Sequence, residues 1–125
     1  MEPHLINILL IDDDENFLYL LAEILDKHGY QVYTASNGLK ALEEMDLHKI
    51  DLVISDVIME DTPIMSLTCT LKHLYPATPI LLVSCLSTGP VIDHTLALGA
   101  DEFLPKPIDL DLLYKTIDKL SEMAA

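Results

Sequence analysis

A chain of 125 residues, half of them hydrophobic, is long enough to bury one core and too apolar to be disordered by composition. Its formal net charge of -14 repels nucleic-acid phosphates and anionic lipid, which argues against direct contact with nucleic acid or with a membrane surface. The same charge suits a partner with basic patches, or a site that holds a cation.

The first apolar run, Asn7–Ile11 (NILLI), is short and apolar on both faces, as a buried parallel strand is. It follows no basic segment and ends in three aspartates, so it is neither a signal peptide nor a membrane span. From about Glu15 to His28, Leu18, Leu21, Ala22 and Leu25 fall on one helical face, and Gly29 can end that helix. Gln31–Ala35 (QVYTA) is β-rich and alternating. Asn37-Gly38 signals a turn, and Leu39, Leu42 and Met45 form the next helical stripe. Asp51–Asp56 (DLVISD) predicts a third strand with a carboxylate at its carboxyl end, and a helix follows from about Ile64 to Leu74. Ile80–Ser84 (ILLVS) predicts a fourth buried strand, and a helix from about Val91 to Leu98 stops at Gly99. Glu102–Leu104 is a short fifth strand, and the last helix covers about Asp109–Met123, with its stripe at Leu110, Leu113, Ile117 and Leu120. Five strands alternating with five helices imply parallel strands joined by right-handed crossovers. The predicted fold is a single-domain doubly wound α/β sandwich, a (βα)5 unit with a five-stranded parallel sheet, whose site lies at the carboxyl ends of the strands.

The polar residues gather at those ends. Asp12, Asp13 and Asp14 follow the first strand, Asp56 ends the third, Ser84 ends the fourth and Lys106 follows the fifth. In a parallel sheet all four ends open on one edge, so carboxylates, a hydroxyl and an ammonium converge although they are scattered in sequence. Clustered carboxylates repel each other unless a cation or protons neutralise them. Oxygen donors with room for water suit Mg2+. Each residue alone has a plainer explanation: Asp14 is best taken as a helix N-cap, Ser84 as a turn residue and Lys106 as a solvated charge. Plain causes do not readily produce the whole set together.

These residues resemble the receiver domains of two-component response regulators across essentially the whole chain, at ILLIDDDEN, DLVISD, PILLVS and GADEFLPKP. The resemblance implies the flavodoxin-like strand order 2-1-3-4-5. It implies that Asp12, Asp13, Asp56 and the backbone carbonyl of Ile58 hold Mg2+, and that Asp56 is the phosphoacceptor. Ser84 is implied as the hydroxyl that binds the phosphoryl group, Lys106 as its ammonium partner, and the Lys106–Pro107 bond as cis. Phe103 matches the switching aromatic. The implied function is Mg2+-dependent phosphorylation of Asp56 by a sensor histidine kinase or phosphotransfer protein in the cytoplasm. Phosphorylation would reshape the face made by the fourth helix, fifth strand and fifth helix, which could also pair with a second receiver. Such a domain catalyses only its own phosphorylation and dephosphorylation, and is not an enzyme in the ordinary sense.

The chain departs from the family after the third strand. Glu60 stands where most receivers have proline, EDTPIMS lacks the usual glycine, and the interval of 28 residues from Asp56 to Ser84 is slightly short. Glu60 and Asp61 read as solvated loop charges. Cys85 replaces a small alanine, and would narrow access to the phosphoryl group and slow turnover. The altered loop also gives weight to a second possibility, a receiver-like docking scaffold that takes no phosphate. A flavodoxin-like cofactor binder ranks last, because strand-end carboxylates repel a flavin phosphate. Cys69 and Cys85 form no C-x-x-C pair and are expected to be reduced. The five histidines lack zinc-site spacing, and no nucleotide-binding glycine motif or hydrolase elbow is present.

Overall fold

A computed structural model describes residues 5–56, 64–85, 89–97 and 99–124. The strands are β1 (Asn7–Ile11), β2 (Gln31–Ala35), β3 (Leu52–Asp56), β4 (Ile80–Ser84) and β5 (Glu102–Pro105). They pair in parallel in the order β2-β1-β3-β4-β5. The helices are α1 (Glu15–Lys27), α2 (Gly38–Leu47), α3 (Ile64–Leu74), α4 (Gly89–Ala97) and α5 (Leu110–Ala124). This is the predicted doubly wound fold with the predicted strand order.

The strands read as continuous apolar runs because helices cover both faces of the sheet. Successive side chains point to opposite faces, and the core divides accordingly. Leu9, Val53, Leu82 and Phe103 pack with Ala41 and Met45 of α2 and Leu67 and Leu71 of α3. Ile8, Leu10, Ile54, Leu81 and Leu104 pack on the other face with Leu18, Leu21 and Leu25 of α1 and Leu113, Ile117 and Leu120 of α5. Burying one such leucine contributes roughly 1.5–3 kcal/mol, so the two layers fix the sheet's register.

Helix α1 starts where Asp14 accepts a bond from the Phe17 backbone N–H at 3.1 Å, the cap expected of that residue. At α2 the structure differs from expectation. Asn37-Gly38 makes no separate turn. Asn37 is the N-cap, bonded by the Lys40 N–H at 2.9 Å, and Gly38 is already helical. The predicted stripe is also rotated. Leu39 is 71% exposed, and the buried face is Gly38, Ala41 and Met45, with Leu42 partly covered. Small residues at Gly38 and Ala41 let the helix backbone lie close to the sheet, and this outweighs burial of Leu39. Leu110 is likewise exposed at the start of α5. Helix α4 begins at Gly89, ahead of the expected Val91, and its expected last residue, Leu98, lies outside the described residues. Neither Cys69 nor Cys85 forms a disulfide, and both are exposed rather than packed in the core.

A partly exposed ion pair ties the far end of the sheet together. Lys72 Nζ of α3 lies 2.7 Å from Asp101 Oδ2 and donates to the Thr78 carbonyl at 3.0 Å. The same Asp101 oxygen accepts from the Ile80 N–H at 2.8 Å. Gly99 makes this approach at φ +113°, where a Cβ would stand 2.9 Å from Lys72 Cγ. Gly99→Ala is therefore expected to lower unfolding stability by about 1–3 kcal/mol in a urea titration, through backbone strain and displacement of Lys72.

Candidate phosphoacceptor and metal site

The parallel sheet delivers Asp12, Asp56, Ser84 and Lys106 to one edge, as their places in the sequence require. Asp12 leaves β1 with its N–H bonded to the Ala35 carbonyl of β2 at 3.2 Å. Asp12 is 2% exposed, and its Oδ1 accepts from the Asp14 N–H at 2.9 Å. Asp56 ends β3 in register with Val83, which places it beside the carboxyl end of β4. Ser84 is buried, lies opposite Pro105, and its carbonyl accepts from the Lys106 N–H at 2.9 Å. The Lys106–Pro107 peptide is cis, as the resemblance implied.

Lys106 reaches across this edge. Its Nζ lies 3.0 Å from Asp12 Oδ2 and 3.3 Å from Asp56 Oδ2, so one ammonium bridges two carboxylates from non-adjacent parts of the chain. The aromatic ring of Phe17 lies beneath it, with Nζ 4.1 Å from the centroid. An ammonium over an aromatic face gains about 0.5–2 kcal/mol. Sequence reasoning did not single out Phe17. Its only signal is an aromatic one turn into the helix after the aspartates, and that helix carries it over the site.

Asp12, Asp13 and Asp56 can each direct a carboxylate oxygen within 4.8 Å of the others. Burial pushes the Asp12 carboxyl above its usual range, and the nearby Asp56 charge adds to this; the Asp14 N–H and Lys106 oppose it without prevailing. Burial by itself would lower the Lys106 ammonium, but bonding and attraction from Asp12 and Asp56 reverse this and hold it above its ordinary value. Two neighbouring carboxylates share a single ammonium, and for the more buried one that contact does not offset the cost of burial. A second cation would relieve it. The donors are all carboxylate oxygens, from one buried, one half-buried and one exposed residue, which fits a divalent ion that retains water.

Of the predicted site residues, Asp12, Asp13, Asp56 and Lys106 are brought together and Ser84 ends the neighbouring strand. Phe103 is buried in the core layer shared with α2 and α3, opposite Leu82. Ile58, Glu60 and Asp61 lie outside the described residues.

A family profile, the response regulator receiver domain, matches residues 8–118. The transcriptional regulatory protein GlrR of Escherichia coli is 35% identical over 119 residues, covering 95% of this chain and 27% of that relative. ZraR of Escherichia coli is 35% identical over 114 residues, covering 91% of this chain and 26% of that protein. The chain thus spans about a quarter of the length of these regulators. The Vibrio cholerae chemotaxis protein CheY4 superposes with a TM-score of 0.88 at 27% identity, covering 94% of this chain and 99% of that one. A two-component response regulator from Clostridium difficile gives a TM-score of 0.87 at 25% identity, covering 92% of this chain and 94% of that one. The chain belongs to the response regulator receiver domains of two-component signalling, and a phosphorylation switch is consistent with that family.

The raised Asp12 carboxyl sets a pH dependence for the metal-free protein. A group held above its unfolded value contributes stability that is full below that value, 3.8, and is lost as pH rises through the folded one. Asp12→Asn is expected to remove that loss, so the metal-free variant should melt higher than the parent at pH 7 and match it more closely near pH 4. Thermal melts at both pH values, with chelator present, check this.

Proposed function

We propose that Asp56 is the phosphoacceptor, and that Asp12, Asp13, Asp56 and the Ile58 carbonyl hold Mg2+. The observation that carries this is the Lys106 ammonium shared between Asp12 and Asp56, at a strand-end edge where a third carboxylate, Asp13, stands close to both. When bound, Mg2+ would screen the carboxylates and neutralise charge on the transferring phosphoryl oxygens.

The chain's own residues supply the rest. An Asp56 oxygen attacks the phosphorus of a phosphohistidine on a sensor kinase or phosphotransfer protein. The N–P bond breaks and its electrons return to the imidazole. Lys106 exchanges its bond to the Asp56 carboxylate for one to a phosphoryl oxygen, and stays pinned by Asp12 and Phe17. The Ser84 hydroxyl donates to another oxygen. Movement of Ser84 frees space that Phe103 adjusts to fill, and the α4–β5–α5 face changes shape. That face would serve as the output surface, and as a contact for a second receiver. Water later hydrolyses the acyl phosphate, so the domain turns over no substrate beyond its own phosphoryl group. The cytoplasm is the compartment where such a kinase would meet it, and among the described residues no helix is long and apolar enough to cross a membrane.

Incubation with acetyl phosphate and Mg2+ is expected to add the mass of one phosphoryl group, with EDTA abolishing the adduct and Asp56→Asn failing to form it. Lys106→Ala should leave the protein folded but weaken the switch, seen as smaller amide shifts at Phe103 on phosphorylation. A folded protein that forms no adduct would instead support a docking scaffold. Free Mg2+ at ten times its dissociation constant should stabilise the parent by about 1.4 kcal/mol, and Asp13→Asn should reduce this.

A further inference from the structure

The outer side of the sheet at β2 has features that the phosphoryl site does not use. Among the described residues β2 pairs with β1 alone, which leaves its other edge open. Successive residues of a strand turn their backbone groups to opposite edges. The Gln31 N–H donates to the Ile6 carbonyl and the Ala35 carbonyl accepts from the Asp12 N–H, so residues 31, 33 and 35 face β1. Val32 and Thr34 therefore present their N–H and C=O groups outward.

Two adjoining hollows run along this edge. One of about 420 Å³ is lined by Thr34 and the other, about 250 Å³, by Val32. Tyr19 and Ala22 of α1 line both, and so join them into one groove. Tyr19 is 65% exposed, with its hydroxyl bonded to Glu23 Oε1 at 3.2 Å. The α1 wall carries Glu15, Glu23 and Asp26, against a single cation, Lys40, on the α2 side.

We propose that this groove docks an extended, lysine- or arginine-bearing polypeptide segment, which adds to the outer edge of β2 as a sixth strand. Backbone pairing with Val32 and Thr34 supplies the register. Tyr19 supplies an aromatic surface for an apolar side chain or for the stem of a basic one. Glu15, Glu23 and Asp26 supply charge complementarity along one wall. A second copy of this chain is a poor occupant, because edge-to-edge pairing would set the same three acids against themselves. The groove shares none of Asp13, Asp56, Ser84 and Lys106, so this inference stands apart from the phosphoryl-transfer reading.

The probe is an end-blocked heptapeptide of alternating lysine and valine, titrated into the full chain at about 0.15 M salt, where exposed charges are screened beyond roughly 8 Å. The expected result is amide shifts and slowed hydrogen exchange centred on Val32 and Thr34. The same peptide N-methylated at alternate residues keeps its charge but cannot pair, and should bind at least roughly tenfold more weakly, about 1.4 kcal/mol. Glu23→Lys with Asp26→Lys should weaken binding comparably while leaving every backbone group of β2 in place. Val32→Pro removes one outward N–H and should also weaken it. Absence of shifts at Val32 and Thr34 overturns the proposal. So does equal binding of the N-methylated peptide, which would mean charge association only, and so does protection of both amides in a peptide-free dimer, which would make a second copy the occupant.

Discussion

The Lys106 ammonium holds the carboxyl edge of the sheet together. It is bonded to Asp12 after β1 and to Asp56 at the end of β3, and it rests on the Phe17 ring of α1. Two carboxylates this close, one of them buried, would repel strongly in a medium less polarisable than water. The single ammonium compensates them in part. Burial, with a smaller contribution from the Asp56 charge, still holds the Asp12 carboxyl above its usual range. Three carboxylates with oxygen donors this close to one another suit a further cation.

That arrangement depends on the sandwich behind it. Strands β1, β3 and β4 are apolar on both faces and lie between two helical layers, so little play remains in their register. Their last residues are fixed relative to one another, and the functional side chains inherit that precision. Helix α1 adds two elements at once. Its N-cap, Asp14, lends an N–H to Asp12, and its first turns carry Phe17 over the lysine. At the far edge, Lys72, Asp101 and the left-handed Gly99 anchor the entry to β5, the strand that delivers Lys106.

The charge of the chain divides between these settings. At the strand ends Asp12 and Asp56 bond the Lys106 ammonium with Asp13 close by, whereas Glu15, Glu23 and Asp26 line an open groove beside β2 with Lys40 as its cation. The first group is compensated in part by an ammonium within the chain. The second lines an open groove and is suited to a cationic partner from outside.

Much of this was legible in the sequence. Alternating short apolar runs and helical stripes define a doubly wound sheet, because a parallel strand buried on both faces permits no other composition. The strand-end positions of Asp12, Asp13, Asp56, Ser84 and Lys106 then follow from topology. The sequence alone could not decide which of two helical registers α2 would adopt. The stripe of Leu39, Leu42 and Met45 and the observed face of Gly38, Ala41 and Met45 share the same period, and the close approach permitted by small side chains decided between them. Nor could it place Phe17 under Lys106, 89 positions away along the chain, or show that Val32 and Thr34 turn their peptides away from β1. Periodicity fixes which residues share a face. Contacts between distant segments, and the direction a peptide group points at a sheet edge, exist only once the strands have paired.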